Sequence, residues 1–329
     1  MKHITRILPA LLAMLTLFAS CKTQGNKETT EAPETTDQTK HIGLAIYSVK
    51  GIEGDLDRAF QTIADIGYKT IEIAHFRDGK IFDKSPAEFK AYLEGYGLTV
   101  TSSHTRALID PADVEASLAA WGTLLDAHKE MGCKYVVLPM HQWGADLETV
   151  KANCALFDKI GELAHEKGVK LGYHSHNGEF STIPGTDIMY EDYLIENTNP
   201  ENIFFEVDVY WAYQGGQDPT AWLQKYPERI SVLHIKDYYV IGASGKIDYK
   251  PIFDQFYANG HQDFFVEMEN DMGMEVADKV AKIAFESQRD PQPFPEEIMK
   301  LFLEGDSLDK ALEGIAASYK YLAEAEFVH

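Results

Sequence analysis

Histidines and carboxylates stand at the ends of short apolar segments, where they can bind a metal ion or move protons. Five of the 12 histidines lie there, and the full set is His104, His141, His174, His176, Asp208, His234, Lys236 and Glu267. Imidazole and carboxylate groups bind divalent cations and act as general acids and bases. Chance is a poor explanation for this placement.

The elements that must position these residues begin near His41, where apolar and amphipathic segments start to alternate. Strands are predicted at 41–48, 70–75, 99–104, 135–141, 170–176, 203–208, 231–236 and 264–267. Helical patterns such as 55–66, 86–96, 115–131 and 148–167 lie between them, and several end in glycine, as a helix C-cap requires. Eight such units predict an α/β fold, a (β/α)8 TIM barrel whose strands all end at one mouth. An open doubly wound sheet is the alternative, but no Gly-x-Gly-x-x-Gly follows the first strand.

The composition restricts the class of ligand. The 329 residues include 52 Asp and Glu against 30 Lys and Arg, a formal charge of -22. Nucleic acid is therefore excluded as a partner, because phosphate backbones are bound by clustered basic residues. A small-molecule sugar remains compatible with this charge. No basic cluster suited to a phosphate group is evident, so a neutral sugar is favoured over a sugar phosphate.

The first 21 residues are typical of a lipoprotein signal peptide. A basic start precedes an apolar run that is too short to span a membrane comfortably, and small residues lead to Cys21. Cys21 is the expected lipidation site, which would make the protein exported and attached to the cell envelope only through that lipid. Phe18 fits the pattern imperfectly, and an ordinary secretory signal or a cytosolic protein with an apolar start are the alternatives.

The segment 22–40 contains no large apolar side chain and is predicted to be a flexible tether, so the barrel is expected at 41–329. Export would allow a disulfide between Cys133 and Cys154. Two buried thiols explain these residues at least as well.

The order of several short motifs resembles the xylose isomerase-like family of sugar isomerases and epimerases, which also includes inosose dehydratases. The matching segments are IGLAIYSVK at 42–50, IGYKTIEI at 66–73, TSSH at 101–104, LGYHSHNGEF at 171–180, FEVDVYWAYQGG at 205–216, VLHIKD at 232–237 and FVEME at 265–269. This resemblance implies a divalent metal held by one residue from each of strands five to eight. It assigns Asp208, His234 and Glu267 as ligands.

The fifth strand departs from the family pattern. Well-known members have a glutamate where this chain has His174, and His176 or Glu179 is an alternative ligand in the same segment. A ligand set of imidazole and carboxylate groups suits Mn, Zn, Co, Fe(II) or Mg and excludes a thiolate site.

By resemblance, the metal binds the carbonyl and hydroxyl oxygens of a keto-sugar and stabilises the enediolate that forms when a base removes the neighbouring proton. Glu267 is one expected proton carrier, and Glu179 or His176 substitutes for the second. Lys236 either polarises a substrate oxygen or forms an ion pair with Asp237 or Glu269.

Four further residues are candidates for substrate binding. His104 matches a family histidine near substrate, although a structural hydrogen bond is the alternative. His141 with Trp143 can form part of a sugar pocket or simply pack. Tyr47 and Trp211 are more typical of walls of the mouth than of specific contacts.

An insertion of about 40 residues follows the eighth strand, at about 270–306, before the final helix at 308–325. It can cover the mouth, shape the substrate pocket or mediate dimer contacts, and its 272–282 segment is expected to be a solvated helix.

The favoured function is a metal-dependent isomerase or epimerase acting on a neutral sugar or keto-sugar. The same site would serve a lyase acting on 3-keto-glycosides. A surface barrel that binds carbohydrate without catalysis is the alternative from another class. A DNA-repair endonuclease, which shares the barrel, conflicts with the acidity and the export signal.

Overall fold

The computed structural model describes residues 40–290 and 293–329. The signal peptide, Cys21 and nearly all of the tether lie outside these residues. Within the described ranges, no helix has both the length and the apolar character needed to cross a membrane.

Eight parallel strands form the centre of the molecule. They are β1 Gly43–Ala45, β2 Thr70–Ile73, β3 Thr99–Ser103, β4 Tyr135–Leu138, β5 Lys170–Ser175, β6 Ile203–Asp208, β7 Ile230–Lys236 and β8 Phe264–Glu267. Hydrogen bonding runs from β3 through β2, β1, β8, β7, β6 and β5 to β4. A single parallel bridge from His104 to Val137 brings β3 against β4. The sheet is therefore a nearly closed (β/α)8 barrel, as predicted.

Helices surround the barrel and connect its strands. They are α1 Leu56–Ile66, α2 Pro86–Glu94, α3 Val114–Met131, α4 Leu147–Lys167, α5 Tyr190–Asn197, α6 Val209–Gln214, α7 Pro219–Lys225, α8 Tyr249–Ala258, α9 Met274–Ser287, α10 Glu296–Glu304 and α11 Leu308–Glu324. Aspartates begin several of them. Asp55, Asp113 and Asp146 each accept a hydrogen bond from a backbone N–H of the first turn, which satisfies a donor that the helix itself leaves free. Gly168 ends α4 with φ of 77°, a conformation that favours glycine.

Several small elements follow the strands. Two short 3-10 helices, Ile46–Ser48 and Ile52–Gly54, follow β1. A two-stranded hairpin, Phe76–Arg77 with Lys80–Ile81, follows β2. A short 3-10 helix, Asn177–Phe180, follows β5 and places the end of that strand beside the site.

An apolar layer fills part of the barrel interior. It consists of six buried side chains from five strands, Ala45, Tyr135, Val137, Phe204, Val232 and Phe265, and we call it the floor. Gly172 of β5 allows the Phe204 ring to enter this layer, because a Cβ there would lie 2.4 Å from Phe204 Cζ. The floor separates the mouth from a cavity of about 720 Å³ at the opposite end of the barrel, which no predicted site residue lines.

The predicted strands agree with the observed ones, and those at 203–208 and 264–267 have the predicted bounds. The remaining strands differ from the prediction mainly at their ends. The observed β1, for example, is two residues shorter at its start and three shorter at its end than predicted. Cys133 and Cys154 are free, buried thiols, so the disulfide is not formed.

Candidate active site

Alternate residues of the barrel strands face the interior and stack in levels above the floor. On β6, Phe204 belongs to the floor, Glu206 lies above it and Asp208 is highest. The two-residue period of a strand puts these three side chains on one face. The carboxyl ends of the strands therefore carry a buried polar site on an apolar base.

Three predicted ligands meet at the highest level. One ligand atom from each of Asp208, His234 and Glu267 lies within 4.8 Å of the others. Asp208 Oδ1 accepts hydrogen bonds from the backbone N–H groups of Tyr210 and Trp211, at 2.8 and 3.0 Å, and so caps α6. The strand end and the helix start thus fix this carboxylate from both sides.

Two of the ligand atoms have no hydrogen-bond partner among the described residues, although both are buried. They are Asp208 Oδ2 and His234 Nδ1. Glu267 Oε2 lies 3.0 Å from His234 Nδ1 but is not aligned as a hydrogen bond. Buried polar atoms without partners are costly, and an imidazole nitrogen facing two carboxylate oxygens fits a divalent cation.

The fifth strand brings His174 to this group. Its Nε2 lies 4.0 Å from Asp208 Oδ2. Burial, and then the neighbouring histidines, lower the pKa of His174 well below its usual range, so the imidazole is neutral.

The other two candidates from this segment lie differently. The His176 ring is 4.8 Å from the His174 ring, and its buried Nδ1 has no partner within the described ranges. Glu179 faces away from the ligands, since its Oε1 accepts from the Tyr173 hydroxyl at 2.6 Å and its Oε2 accepts from the His176 N–H at 3.0 Å. Burial raises the pKa of Glu179 to about 7.

Lys236 is fully buried beside the ligands. Its Nζ donates to Glu267 Oε1 at 2.6 Å and to Glu269 Oε1 at 2.8 Å. Burial alone would lower the pKa of Lys236, but the two carboxylates outweigh it and raise that pKa well above its usual value. Asp237, the other partner considered from sequence, instead accepts from the backbone N–H groups of Tyr238 and Gly242.

A second level of carboxylates, which sequence reasoning missed, lies directly below. Glu72 Oε1 is 2.7 Å from His234 Nε2, and Glu206 Oε2 is 3.0 Å from His174 Nδ1. His104, predicted to contact substrate, lies between them with Nε2 2.6 Å from Glu206 Oε2. The available signal was the two-residue period of the strands, since Glu206 precedes Asp208 by two positions.

A cavity of about 780 Å³ opens above these levels. Among the residues that line it are Tyr47, His104, His174, His176 and Glu267, together with three basic side chains, Lys50, Arg77 and Arg106. The carboxylates Glu53 and Glu269 belong to the same lining, so its charge is mixed and the preference for a neutral sugar stays a prediction.

Two predicted substrate residues lie outside that lining. His141 packs with its ring 4.9 Å from the Trp143 ring. Trp211 is buried, 5.0 Å from Lys236 Nζ and beneath the insertion. Neither side chain lines the 780 Å³ cavity.

The insertion covers one side of the mouth. Val280 and Ala281 of α9 and Ile298 of α10 pack on Tyr210 and Trp211. The expectation of a solvated helix at 272–282 is therefore wrong for one of its faces. Ala277, Val280 and Ala281 are buried because their spacing puts them on one side of the helix. Phe302 of α10 reaches the large cavity, so the insertion helps to shape the pocket.

Comparison with known proteins agrees with this architecture. Residues 60–289 match the model of the xylose isomerase-like TIM barrel family. The inosose dehydratase of Geobacillus kaustophilus (strain HTA426) is 29% identical over 199 residues, 55% of this chain and 61% of the relative, so that match spans less than two thirds of its length. The inosose dehydratase of Geobacillus thermodenitrificans (strain NG80-2) is 26% identical over 67% of this chain and 84% of its own.

Among solved structures, a sugar phosphate isomerase/epimerase from Parabacteroides distasonis ATCC 8503 is similar, with a TM-score of 0.75. It is 27% identical, and the superposition covers 91% of this chain and 99% of that one. These relatives are sugar-modifying enzymes by name. With its barrel and the matched residues, the chain belongs to the xylose isomerase-like TIM barrel family.

Proposed function

We propose that this protein is a divalent-metal-dependent sugar isomerase or epimerase that removes a proton next to a carbonyl of a neutral sugar or keto-sugar. One observation carries the proposal. Two buried atoms that have no hydrogen-bond partner within the described ranges, Asp208 Oδ2 and His234 Nδ1, converge with Glu267 Oε2 below a cavity of about 780 Å³. A binding surface alone would not need these unsatisfied groups.

Asp208, His234 and Glu267 hold the cation in this proposal, with His174 as the ligand from β5. When bound, the cation supplies Lewis-acid stabilisation of the negative charge that develops on the substrate oxygens. Imidazole and carboxylate donors suit Mn, Zn, Co, Fe(II) or Mg.

The remaining side chains supply proton transfer and charge. Glu267 removes the proton, and the buried Lys236 ammonium, which does not line the cavity, holds Glu267 through Oε1. His176 is the second proton carrier, because its ring lines the cavity and its buried Nδ1 is without a partner in the described chain. Glu179 is less suited to that role, since it faces the Tyr173 hydroxyl and the His176 N–H and does not line the cavity.

Elimination is the second candidate reaction, and the inosose dehydratases among the relatives favour it. Removal of a proton next to a ketone, followed by loss of a hydroxyl or a glycosidic oxygen from the next carbon, would use the same residues. A lyase acting on 3-keto-glycosides is of this type.

We also propose that Cys21 carries a lipid that holds the barrel at the cell envelope, which the apolar segment before it supports. Labelling with a radioactive fatty acid tests this. Label that persists in Cys21→Ser would refute it.

The reaction is tested by incubating the metal-loaded protein with keto-sugars, keto-polyols and 3-keto-glycosides in D2O. Deuterium at the carbon next to the carbonyl supports proton abstraction, and the product separates epimerisation from elimination. Phosphorylated analogues in the same panel test the basic side chains of the mouth. Sugar binding without exchange for any compound would refute catalysis and favour the non-catalytic barrel.

A further inference from the structure

The two histidines at the proposed metal site each direct one nitrogen towards that site and the other towards a buried carboxylate. For His174, Nε2 lies 4.0 Å from Asp208 Oδ2 while Nδ1 lies 3.0 Å from Glu206 Oε2. For His234, Nδ1 lies 3.0 Å from Glu267 Oε2 while Nε2 lies 2.7 Å from Glu72 Oε1. Glu72 and Glu206 thus lie behind the histidines, on the side away from the cavity.

A carboxylate in that position determines which nitrogen carries the proton. A neutral imidazole has one N–H and one lone pair, and an ionised carboxylate can only accept. Burial alone would lower the pKa of His234, but Glu206, Glu72 and Glu267 outweigh it and raise that pKa well above its usual value. With a cation bound to one nitrogen of each ring, the N–H that remains would be donated to the carboxylate behind it. The two tautomers would then be opposite, with Nδ1–H on His174 and Nε2–H on His234.

The carboxylates are themselves held in place. Ser102 Oγ donates to Glu72 Oε2 at 2.7 Å, and His104 Nε2 lies 2.6 Å from Glu206 Oε2. Both glutamates are at most 1% exposed. Buried carboxylates are costly unless they accept hydrogen bonds. Both oxygens of Glu72 accept one, whereas on Glu206 only Oε2 does and the buried Oε1 has no hydrogen-bond partner among the described residues.

We propose that Glu72 and Glu206 are positioning residues that fix His234 and His174 in opposite tautomers, so that a divalent cation binds His234 through Nδ1 and His174 through Nε2. This proposal rests on the proposed metal-dependent function. It names two residues for which the sequence motifs gave no role, and it selects His174 among the three candidates on β5.

A second cation at the lower level is the competing interpretation, since single atoms of His104, His174, Glu206 and His234 lie within 4.8 Å of one another. Ligands about 2.0–2.1 Å from a tetrahedral zinc lie about 3.3 Å apart. The separations of 2.6 Å from Glu206 to His104 and 2.7 Å from Glu72 to His234 are shorter and are aligned as hydrogen bonds, whereas the 3.0 Å from His234 Nδ1 to Glu267 Oε2 at the upper site is not so aligned. The two shorter separations are hydrogen-bond lengths.

The first test reads the tautomers in the full-length wild-type protein with zinc bound. Nitrogen NMR of labelled histidine distinguishes a protonated from a metal-bound ring nitrogen. We expect Nδ1–H with zinc on Nε2 for His174, and the reverse for His234. The opposite pattern at either residue would overturn the proposal, and no variant needs to fold for this result.

The second test measures the affinity for Zn²⁺ and Co²⁺ in Glu206→Gln and Glu72→Gln by competition with a chelator. Each change is expected to weaken binding about 10–100-fold and to alter the visible spectrum of bound cobalt. Glu191→Gln is the matched control, because Glu191 is also buried but accepts from the Ser175 hydroxyl rather than from a histidine. It should bind as the wild type does.

The outcomes separate the two proposals. If the wild type binds neither cation, both the metal-dependent function and the positioning role fail. If the wild type binds but Glu206→Gln and Glu72→Gln match Glu191→Gln, only the positioning role fails. Two zinc ions per wild-type chain, one of them lost in Glu206→Gln, would also overturn positioning in favour of a second metal site.

Discussion

Replacing Asp208 with asparagine should remove metal binding while leaving the helix cap intact. Asp208 Oδ1 accepts the two backbone hydrogen bonds that begin α6, and Oδ2 faces His234 and Glu267 without a partner among the described residues. Asparagine caps helices about as well as aspartate. The change therefore separates the structural oxygen from the proposed ligand oxygen.

The size of the effect follows from linkage. At a free cation concentration of about 100 times Kd, binding to the folded state raises the free energy of unfolding by about 2.7 kcal/mol. The roughly 290 residues of the described chain have an unfolding entropy of about 0.6 kcal/mol/K, so Tm should rise by about 4–5 °C. If Asp208→Asn weakens binding at least about 100-fold, the gain at the same concentration falls to about 0.4 kcal/mol, a rise of under about 1 °C.

Thermal unfolding with and without Mn²⁺ or Zn²⁺, together with metal content after dialysis, measures this difference. Asp218→Asn is the matched control, because Asp218 caps the next helix through Oδ1 at 2.9 Å from Thr220 N and is exposed. It should keep the full rise in Tm. An equal rise in Asp208→Asn would show that the cation binds elsewhere and would refute the assigned site.

Three further predictions concern the floor, a buried carboxyl group and the ammonium. Gly172→Ala should lower stability by about 1–3 kcal/mol in urea unfolding, because the added Cβ would overlap the Phe204 ring. Gly122→Ala in α3 is the control. The nearest atom to its added Cβ is 3.7 Å away, so this change should raise stability by about 0.5–1 kcal/mol. Burial raises the pKa of Glu191 from its ordinary value of 4.5 to about 8. The folded state therefore holds an extra proton between these values, and its stability falls as pH rises through that window, by at most about 5 kcal/mol. Urea unfolding at pH 5 and pH 8 should show a smaller loss of stability with rising pH in Glu191→Gln than in the wild type. An unchanged loss would contradict the raised pKa of Glu191. Lys236→Met should slow proton exchange in D2O by up to about 10²-fold while the cation is retained, because Glu267 loses the ammonium that holds its Oε1. Retention of full activity would exclude this positioning role of Lys236.

The ends of the strands could be predicted from sequence because the relevant information is local. Short apolar runs ending in a polar residue located Asp208, His234 and Glu267, and parallel strands bring such ends together. The contacts between levels were not accessible in this way. Glu72 and His234 are 162 positions apart, and their meeting depends on the register of strands that are not neighbours in the chain.

The insertion was misjudged for a different reason. Its 272–282 segment carries many charges, and we expected a solvated helix, but the positions of Ala277, Val280 and Ala281 form one apolar face. Exposed pairs such as Lys279 with Glu275 occupy the opposite side. The periodicity was thus informative, whereas the overall composition of the segment was not.

The floor also determines the order in which molecules can arrive and depart. Its six side chains, all at most 7% exposed, close the barrel interior beneath the proposed ligands, and the cavity at the mouth reaches Glu267 and His174 from the other side. A cation that uses this cavity would enter before the sugar and leave after it. Bound sugar would block release of the cation, so removal of the cation by a chelator should slow as sugar concentration increases.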